Sequence, residues 1–199
     1  MKYDLDRLML EHGYVRKEDE DLIKKWITLD PTSKIGRGTK FGSYLVIEEF
    51  CEIGSGGYIG NGVVMRPRVK VGNRTMIGHN TVLEEGVKIG SDCRVQPLCY
   101  ITKGVVIEDK VFIGPMVCTS NDKKMVHMRH DILGCELCGC VIKHGARVGC
   151  GSVILPGVTI GENALVGAGS VVTKNVGQGE IIRGDPAKII GQVPEEEWI

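Results

Sequence analysis

One stretch of this chain combines residue types that do chemistry with an irregular sequence. It runs from Thr119 to Val141 and reads TSNDKKMVHMRHDILGCELCGCV. His127 and His130 lie in it, and a histidine, which titrates near pH 6.5, suits the task of a general base that deprotonates a hydroxyl. The alternative interpretation is a pair of solvated histidines in a polar loop.

The same stretch carries a cluster of cysteines. Cys135, Cys138 and Cys140 are spaced as C-x-x-C-x-C behind the two histidines, a pattern that thiolate-rich zinc sites use. A zinc signature usually has two separated pairs, and this stretch has one. We therefore expect no metal site, and free thiols in a reduced loop are the favoured interpretation.

The chain on either side of this stretch is regular. From Ile35 to Cys118 it divides into fourteen consecutive six-residue words, and six more words start at Ile142. Most words open with an aliphatic residue, and their fifth position usually holds a small one. A fixed short period predicts a solenoid of stacked turns, in which three words make one triangular turn and the first and fifth positions point inward.

This repeat predicts an all-β solenoid of about seven turns, and it predicts which side chains point inward and which point outward. Cys51, Cys93 and Cys99 fall on the fifth position, so we expect them to be packing residues in a reducing cytosol. His79 falls on the third, outward position of its word. It either lines a binding groove or is an exposed corner histidine.

The ends of the chain depart from the repeat. Residues 1–34 place apolar residues at spacings of three and four, which predicts a cap of two short amphipathic helices that ends at Asp30-Pro31. Residues 35–191 form the predicted solenoid, with the loop at 119–141, and residues 192–199 form a tail.

Composition narrows the classes of function. The chain has 199 residues, 42% of them hydrophobic, and 25 basic against 25 acidic side chains. Zero net charge gives no reason to expect nucleic acid or an anionic membrane as a partner. The amino terminus carries acidic residues where a signal peptide would be basic and then apolar, so we expect a cytoplasmic protein.

Several words resemble a known family. IGSDCR, ILPGVT, IGENAL and VGAGSV, followed by IIRGDPAKIIG, are similar to the hexapeptide-repeat acyltransferases. The resemblance implies a left-handed parallel β-helix, a homotrimer, and active sites in grooves, into which a loop of a neighbouring subunit reaches. It also implies a coenzyme A thioester, most simply acetyl-CoA, as co-substrate.

The phrase VFIGPMVCTSNDKK is similar to the branch of this family that N-acetylates amino sugars carried on nucleotides. The resemblance implies that Asn121 and Asp122 hold the amino group of the substrate and that Lys123 contacts the substrate. The alternative is that Asn-Asp merely turns the chain. The aromatic, proline and arginine that commonly follow in that branch are replaced at residues 124–126, which leaves the sugar open.

The resemblance also locates a cofactor site in the second run of words and the segment after it. The basic residues there would meet the phosphates of coenzyme A, and the small residues would let its pantetheine arm lie along the turns. These residues are Gly151, Ser152, Ala168, Gly169, Arg183 and Lys188. The alternative for the small residues is that every corner of a β-helix needs them.

These observations support an N-acyltransferase in which the amine attacks the thioester directly. An O-acetyltransferase that acts on a sugar, amino acid or antibiotic hydroxyl with a loop histidine as base is the alternative. A metalloenzyme similar to the γ-class carbonic anhydrases and a non-catalytic scaffold are further hypotheses. The sequence leaves open the nucleotide, the sugar, the position of the amine and the length of the acyl chain.

Overall fold

Short parallel strands wind around a narrow apolar core in a computed structural model that describes residues 26–129, 131 and 136–199. The strands form three sheets, which are the three faces of a solenoid of about eight turns. This confirms the predicted all-β solenoid, and the arrangement is consistent with a left-handed β-helix. The helices predicted before Trp26 lie outside the described residues.

The chain visits the three faces in a fixed order. The first face contains strands Ile27–Leu29, Leu45–Ile47, Val64–Met65, Val82–Leu83, Tyr100–Ile101, Cys118–Thr119, Val153–Ile154 and Val171–Val172. The second face contains Lys34–Ile35, Glu52–Ile53, Lys70–Val71, Lys88–Ile89, Val106–Ile107, Val141–Ile142 and Thr159–Ile160. The third face contains Lys40–Phe41, Tyr58–Ile59, Met76–Ile77, Arg94–Val95, Phe112–Ile113, Arg147–Val148, Leu165–Val166, Glu180–Gly184 and Ala187–Gln192.

The six-residue word sets which side chains fill the interior. First-position residues such as Ile77 and Ile113 are fully buried, and so are fifth-position residues such as Val63 and Val111. Burying an aliphatic side chain of this size contributes roughly 1.5–3 kcal/mol. Stacked turns repeat this burial, so the core is a continuous column that runs the length of the solenoid.

Cysteines replace hydroxyl residues in the interior. The Thr75 hydroxyl donates a hydrogen bond to the Gly90 carbonyl at 2.7 Å, and one turn later the Cys93 thiol donates to the Glu108 carbonyl at 3.0 Å. Burial raises the pKa of Cys93 and of Cys99 to about 11. Both thiols therefore stay protonated at neutral pH, and with the buried Cys51 they confirm the prediction of packing residues.

Three corners connect the faces. The first corner joins the first face to the second, the second corner joins the second face to the third, and the third corner returns the chain to the first face. Corner backbones stack on one another; for example, the Gly169 amide donates to the Cys150 carbonyl at 2.8 Å. The fourth position of a word adopts a left-handed conformation even where it is bulky, with φ of 64° at Leu98 and 59° at Met116.

The solenoid begins earlier than the sequence predicted. Ile27–Leu29 is a parallel strand whose Ile27 pairs with Leu45, so the predicted helical cap of residues 1–34 is wrong from Ile27 onward. The Ser33 hydroxyl is buried and donates to the Glu48 carbonyl at 2.7 Å, as other fifth-position residues do. This additional turn raises the count from about seven to about eight.

The carboxyl end folds back on the last turns. Glu180–Gly184 continues the third face and then pairs antiparallel with Ala187–Gln192, so the parallel solenoid ends before the predicted boundary at residue 191. The tail forms a 3₁₀ turn at Glu195–Glu197, and the Arg147 guanidinium pairs with Glu197 at 2.9 Å. Within the described part of the chain, no helix has the length and apolar character to cross a bilayer.

Candidate active site

The long loop leaves the solenoid at the first corner and is anchored at its base. The Asn121 side-chain amide donates to the Lys103 carbonyl at 3.1 Å, and its backbone carbonyl accepts from the Cys138 amide at 2.7 Å. Gly139 lies so close to Gly104 on the preceding turn that an added Cβ would come within 2.2 Å of the Gly104 carbonyl carbon. The two ends of the loop are therefore held against the body of the solenoid.

Asp122 organises the loop from within. One carboxylate oxygen accepts hydrogen bonds from the Lys124 and Met125 amides at 2.9 and 2.8 Å, and the other accepts from the Val126 amide at 3.1 Å. Val126 is buried. These bonds give Asp122 the turn-forming role that the sequence indicated as the alternative to catalysis.

Lys123 lies back along the first corner. A Cβ added at Gly157 would lie 3.1 Å from the Cys138 sulfur and 3.6 Å from the Lys123 ammonium nitrogen, so both side chains cover that glycine. The Gly157 amide also donates to the Cys138 carbonyl at 3.0 Å. Lys123 and Cys138 thus extend the anchored base of the loop onto the following turn.

His127 is exposed on the loop, and its carbonyl accepts a hydrogen bond from the Arg129 guanidinium at 3.0 Å. His130 and Cys135 lie outside the described residues. Cys140 is completely buried in the core, and this burial raises the pKa of its thiol to about 12. Among the described residues, no group of three His, Cys, Asp or Glu side chains could hold a metal ion.

The predicted cofactor residues gather at the last turns of the third corner. Gly151 and Gly169 are exposed, and an added Cβ at either position would meet no atom within 4 Å. Ala168, which precedes Gly169 on the same turn, is exposed as well. Arg183 and Lys188 are directly opposite each other in the terminal hairpin, and the Arg183 side chain covers Gly167. The result is an open, flat strip of backbone that ends in two positive charges.

Ser152 is an exception among the predicted cofactor residues. It occupies a fifth position, is completely buried and donates to the Gly167 carbonyl at 3.2 Å. The Ser170 hydroxyl accepts a hydrogen bond from the Gly184 amide at 3.2 Å, which connects the terminal hairpin to the same strip. The Ser152 side chain therefore supports the strip from inside, and its predicted contact with a cofactor stays a prediction that concerns the backbone.

His79 lies at the third corner, as its outward position in the word predicted. Its Nδ1 accepts from the Asn61 amide at 2.8 Å, which leaves the proton of a neutral ring on Nε2. The Tyr58 ring lies 6.1 Å away, nearly perpendicular to it. The first face separates His79 and the predicted cofactor strip from the described residues of the loop, so the described part of one chain does not bring the two predicted groups together.

Two families of known proteins match parts of this sequence. A profile of the bacterial transferase hexapeptide (six repeats) matches residues 139–174, and a profile of the GMPPB C-terminal domain matches residues 23–131. The chain belongs to the hexapeptide-repeat transferases. The second match spans more than half of the chain, which therefore also belongs to the GMPPB C-terminal domain family. No curated protein matches the sequence of this transferase.

Solved structures share the fold of this transferase. A Bacillus cereus protein assigned as an acetyltransferase, the product of the BC4754 gene, is 26% identical with a TM-score of 0.56, over 83% of this chain and 86% of that one. A hexapeptide transferase family protein from Anaplasma phagocytophilum is 22% identical with a TM-score of 0.54, over 86% and 81% of the two chains. AntD, an N-acyltransferase from Bacillus cereus, is 19% identical with a TM-score of 0.55, over 92% of each chain. The hexapeptide transferase family and the 26% identical Bacillus cereus protein support acyl transfer as the class of reaction, and the other two structures share the fold.

Sequence reasoning missed three residues of the third corner. Leu98 and Met116 are 56% and 57% exposed and stack on successive turns, and the exposed Cys150 follows them on the next turn. Leu98 and Met116 thus place exposed apolar side chains on the turns that precede the flat strip of this transferase. The signal was present, because Leu98 and Met116 hold a fourth position where glycine, asparagine or aspartate is usual in the other words.

Proposed function

We propose that this transferase is an acyl-CoA-dependent N-acyltransferase, most simply an N-acetyltransferase, acting on the amino group of a nucleotide-linked amino sugar. The observation that carries the proposal is the flat strip at Gly151 and Gly169 that ends in Arg183 and Lys188. A pantetheine arm suits an open strip of small residues, and the two cations match the phosphates of coenzyme A. AntD, with the same fold, was solved with dTDP and coenzyme A.

The reaction needs little from the protein. A neutral amine attacks the thioester carbonyl carbon, the carbon–sulfur bond breaks, and the amine gives up a proton as the coenzyme A thiol leaves. Holding the two substrates together supplies most of the acceleration, and a hydrogen bond to the amine or the oxyanion adds to it. Asn121 is the residue we assign to that hydrogen bond, because the Asp122 carboxylate is occupied by three backbone amides.

Assembly completes the site in this proposal. The loop at the first corner and the strip at the third corner lie at opposite edges of the first face, so the loop of one subunit would meet the strip of a neighbour in a homotrimer. The outward side chains of that face are largely apolar, which suits an interface between subunits. They are Val46, Val64, Val82, Tyr100, Cys118, Val153 and Val171.

One observation favours the O-acetyltransferase as the second candidate. The His127 side chain is exposed on the loop, whereas the carboxylate of Asp122 is used to shape it. A hydroxyl acceptor requires a base, and His127 is the described loop residue that suits the task. The two candidates make different predictions for variants of Asn121 and His127.

Cys150 offers a direct test of the cofactor site, because it is exposed between Gly149 and Gly151. At an acetyl-CoA concentration ten times its dissociation constant, we expect iodoacetamide to alkylate Cys150 about tenfold more slowly, since the bound cofactor covers the thiol. Mass spectrometry of the Cys150 peptide at pH 8 gives the rate. The buried Cys93 and Cys99, whose pKa values burial raises to about 11, serve as unreactive internal controls. Alkylation of Cys150 at the same rate with and without acetyl-CoA would contradict this location.

A further inference from the structure

Charged side chains on the outer surface of the solenoid form ladders in which neighbouring turns carry opposite signs. Arg66 pairs with Glu48 at 2.6 Å, Arg74 with Asp92 at 2.6 Å, and Lys103 with Glu85 at 2.7 Å. Each pair joins residues at equivalent places on adjacent turns. Opposite charges on adjacent strands stabilise a sheet, and like charges directly opposite destabilise it.

The second face departs from this alternation. Lys70 and Lys88 are direct partners on adjacent parallel strands, and both are exposed. Strands in a sheet are about 4.8 Å apart, so the two stems start close together. Glu52, which pairs with Lys70 at 3.2 Å, separates them from Lys34 on the same ladder. Four successive positions thus carry three positive charges and one negative charge, an excess of two.

A groove lies beside Lys34 and Lys70. It has a volume of about 560 Å³, within the range of small-molecule sites, and is lined by Lys34, Glu52 and Lys70 together with three glycines and four aliphatic residues. Lys88, the direct partner of Lys70, lies outside this lining. The glycines have no side chains that would project beside the lysines. A ligand can therefore approach the ammonium groups along the aliphatic part of the lysine side chains.

The same arrangement of charge occurs in the terminal hairpin. Arg183 and Lys188 are also like-charged direct partners on adjacent strands, and they are the residues we assign to the phosphates of coenzyme A. A bound anion turns the repulsion between two cations into attraction to a shared partner. Two cationic side chains that face each other on adjacent strands destabilise the fold when no ligand is bound. Such a pair therefore indicates an anion-binding site.

We propose that Lys70 and Lys88, with Lys34, bind the diphosphate of the nucleotide-linked acceptor. This inference rests on the proposed function for its choice of ligand, because a nucleotide-linked sugar carries two adjacent phosphates that match the excess charge. The site lies on the second face, on turns that precede the loop at the first corner. Lysine ammonium groups bind phosphates as point charges, so the site recognises the charge of the diphosphate. Other contacts would recognise the base and the sugar.

The test is a calorimetric titration with UDP, inorganic pyrophosphate and uridine at low ionic strength. We expect UDP and pyrophosphate to bind, uridine to bind at least tenfold more weakly than UDP, and added salt to weaken the two anions. The double variant K70Q/K88Q loses at least tenfold in affinity for both anions. K110Q, which removes an exposed lysine at the second corner, is the matched control and keeps wild-type affinity.

A charge reversal separates binding from folding. Lys88→Glu restores opposite signs next to Lys70, so we expect it to raise the melting temperature while abolishing pyrophosphate binding. Unchanged anion affinity in K70Q/K88Q and K88E overturns the proposal, and so does a wild-type protein that binds uridine as tightly as UDP. Acetyl-CoA affinity, measured on the same preparations, reports the proposed acyltransferase function separately. A protein that binds acetyl-CoA but neither anion would overturn the lysine site and leave acyl transfer standing.

Discussion

Replacing Asn121 by alanine is expected to lower kcat for acyl transfer by about 100-fold, the effect of removing one hydrogen-bond donor or acceptor from a developing tetrahedral centre. The side chain also donates to the Lys103 carbonyl, so its loss frees one end of the loop base. His127→Ala is expected to change kcat less than about threefold, because a neutral amine attacks without a base. Both rates are measured at saturating acetyl-CoA with a nucleotide-linked amino sugar as acceptor.

The conservative change Asn121→Asp is the matched control for this experiment, since it keeps the size of the side chain and an oxygen acceptor. The opposite ranking would contradict the amine mechanism. If His127→Ala lost 100-fold or more and Asn121→Ala stayed within threefold of wild type, the acceptor would be a hydroxyl and His127 its base.

Gly139→Ala is expected to have the second large effect. The added Cβ would lie 2.2 Å from both the carbonyl carbon and the oxygen of Gly104 and 2.4 Å from the Val105 nitrogen, which are backbone atoms locked into the stacked turns. The base of the loop must therefore move. A displacement of about 1 Å at a reacting group costs about 100-fold in rate, so we expect kcat to fall by that factor.

The control for this variant is Gly191→Ala, where the nearest atom to the added Cβ is 3.9 Å away. We expect G191A to keep wild-type activity and G139A to lose it, while both keep wild-type affinity for acetyl-CoA, because the cofactor strip is at another corner. Wild-type kcat and melting temperature in G139A would show that the loop base does not position the reacting groups.

The repeat predicted most of the fold because each six-residue word places two inward side chains at fixed positions. It assigned Cys51, Cys93 and Cys99 to the interior, and all three are buried. The same spacing explains the error at the amino terminus. First and fifth positions are four residues apart, which is also the spacing of one face of a helix, so the start of the solenoid at Ile27 looked like the end of a helix.

The candidate site was less predictable, because its geometry depends on contacts between turns. The sequence indicated that the irregular stretch carries polar groups, but it could not show that the backbone amides of residues 124–126 occupy the Asp122 carboxylate. It grouped Ser152 with the small corner residues, although position five of the word points that side chain inward. Like-charged neighbours such as Lys70 and Lys88 are 18 residues apart and meet only when the turns are stacked.

The most direct measurement for this account is a screen of acyl transfer. Wild-type protein is incubated with acetyl-CoA and several longer acyl-CoAs against a panel of nucleotide-linked amino sugars and the matching nucleotide-linked sugars that carry a hydroxyl in place of the amine. Mass spectrometry identifies the acylated product, and release of free coenzyme A gives the rate. We predict an N-acylated product from at least one amino sugar and none from its hydroxyl counterpart. Acylation of the hydroxyl sugars alone, or turnover of no acceptor in the panel, would contradict the account.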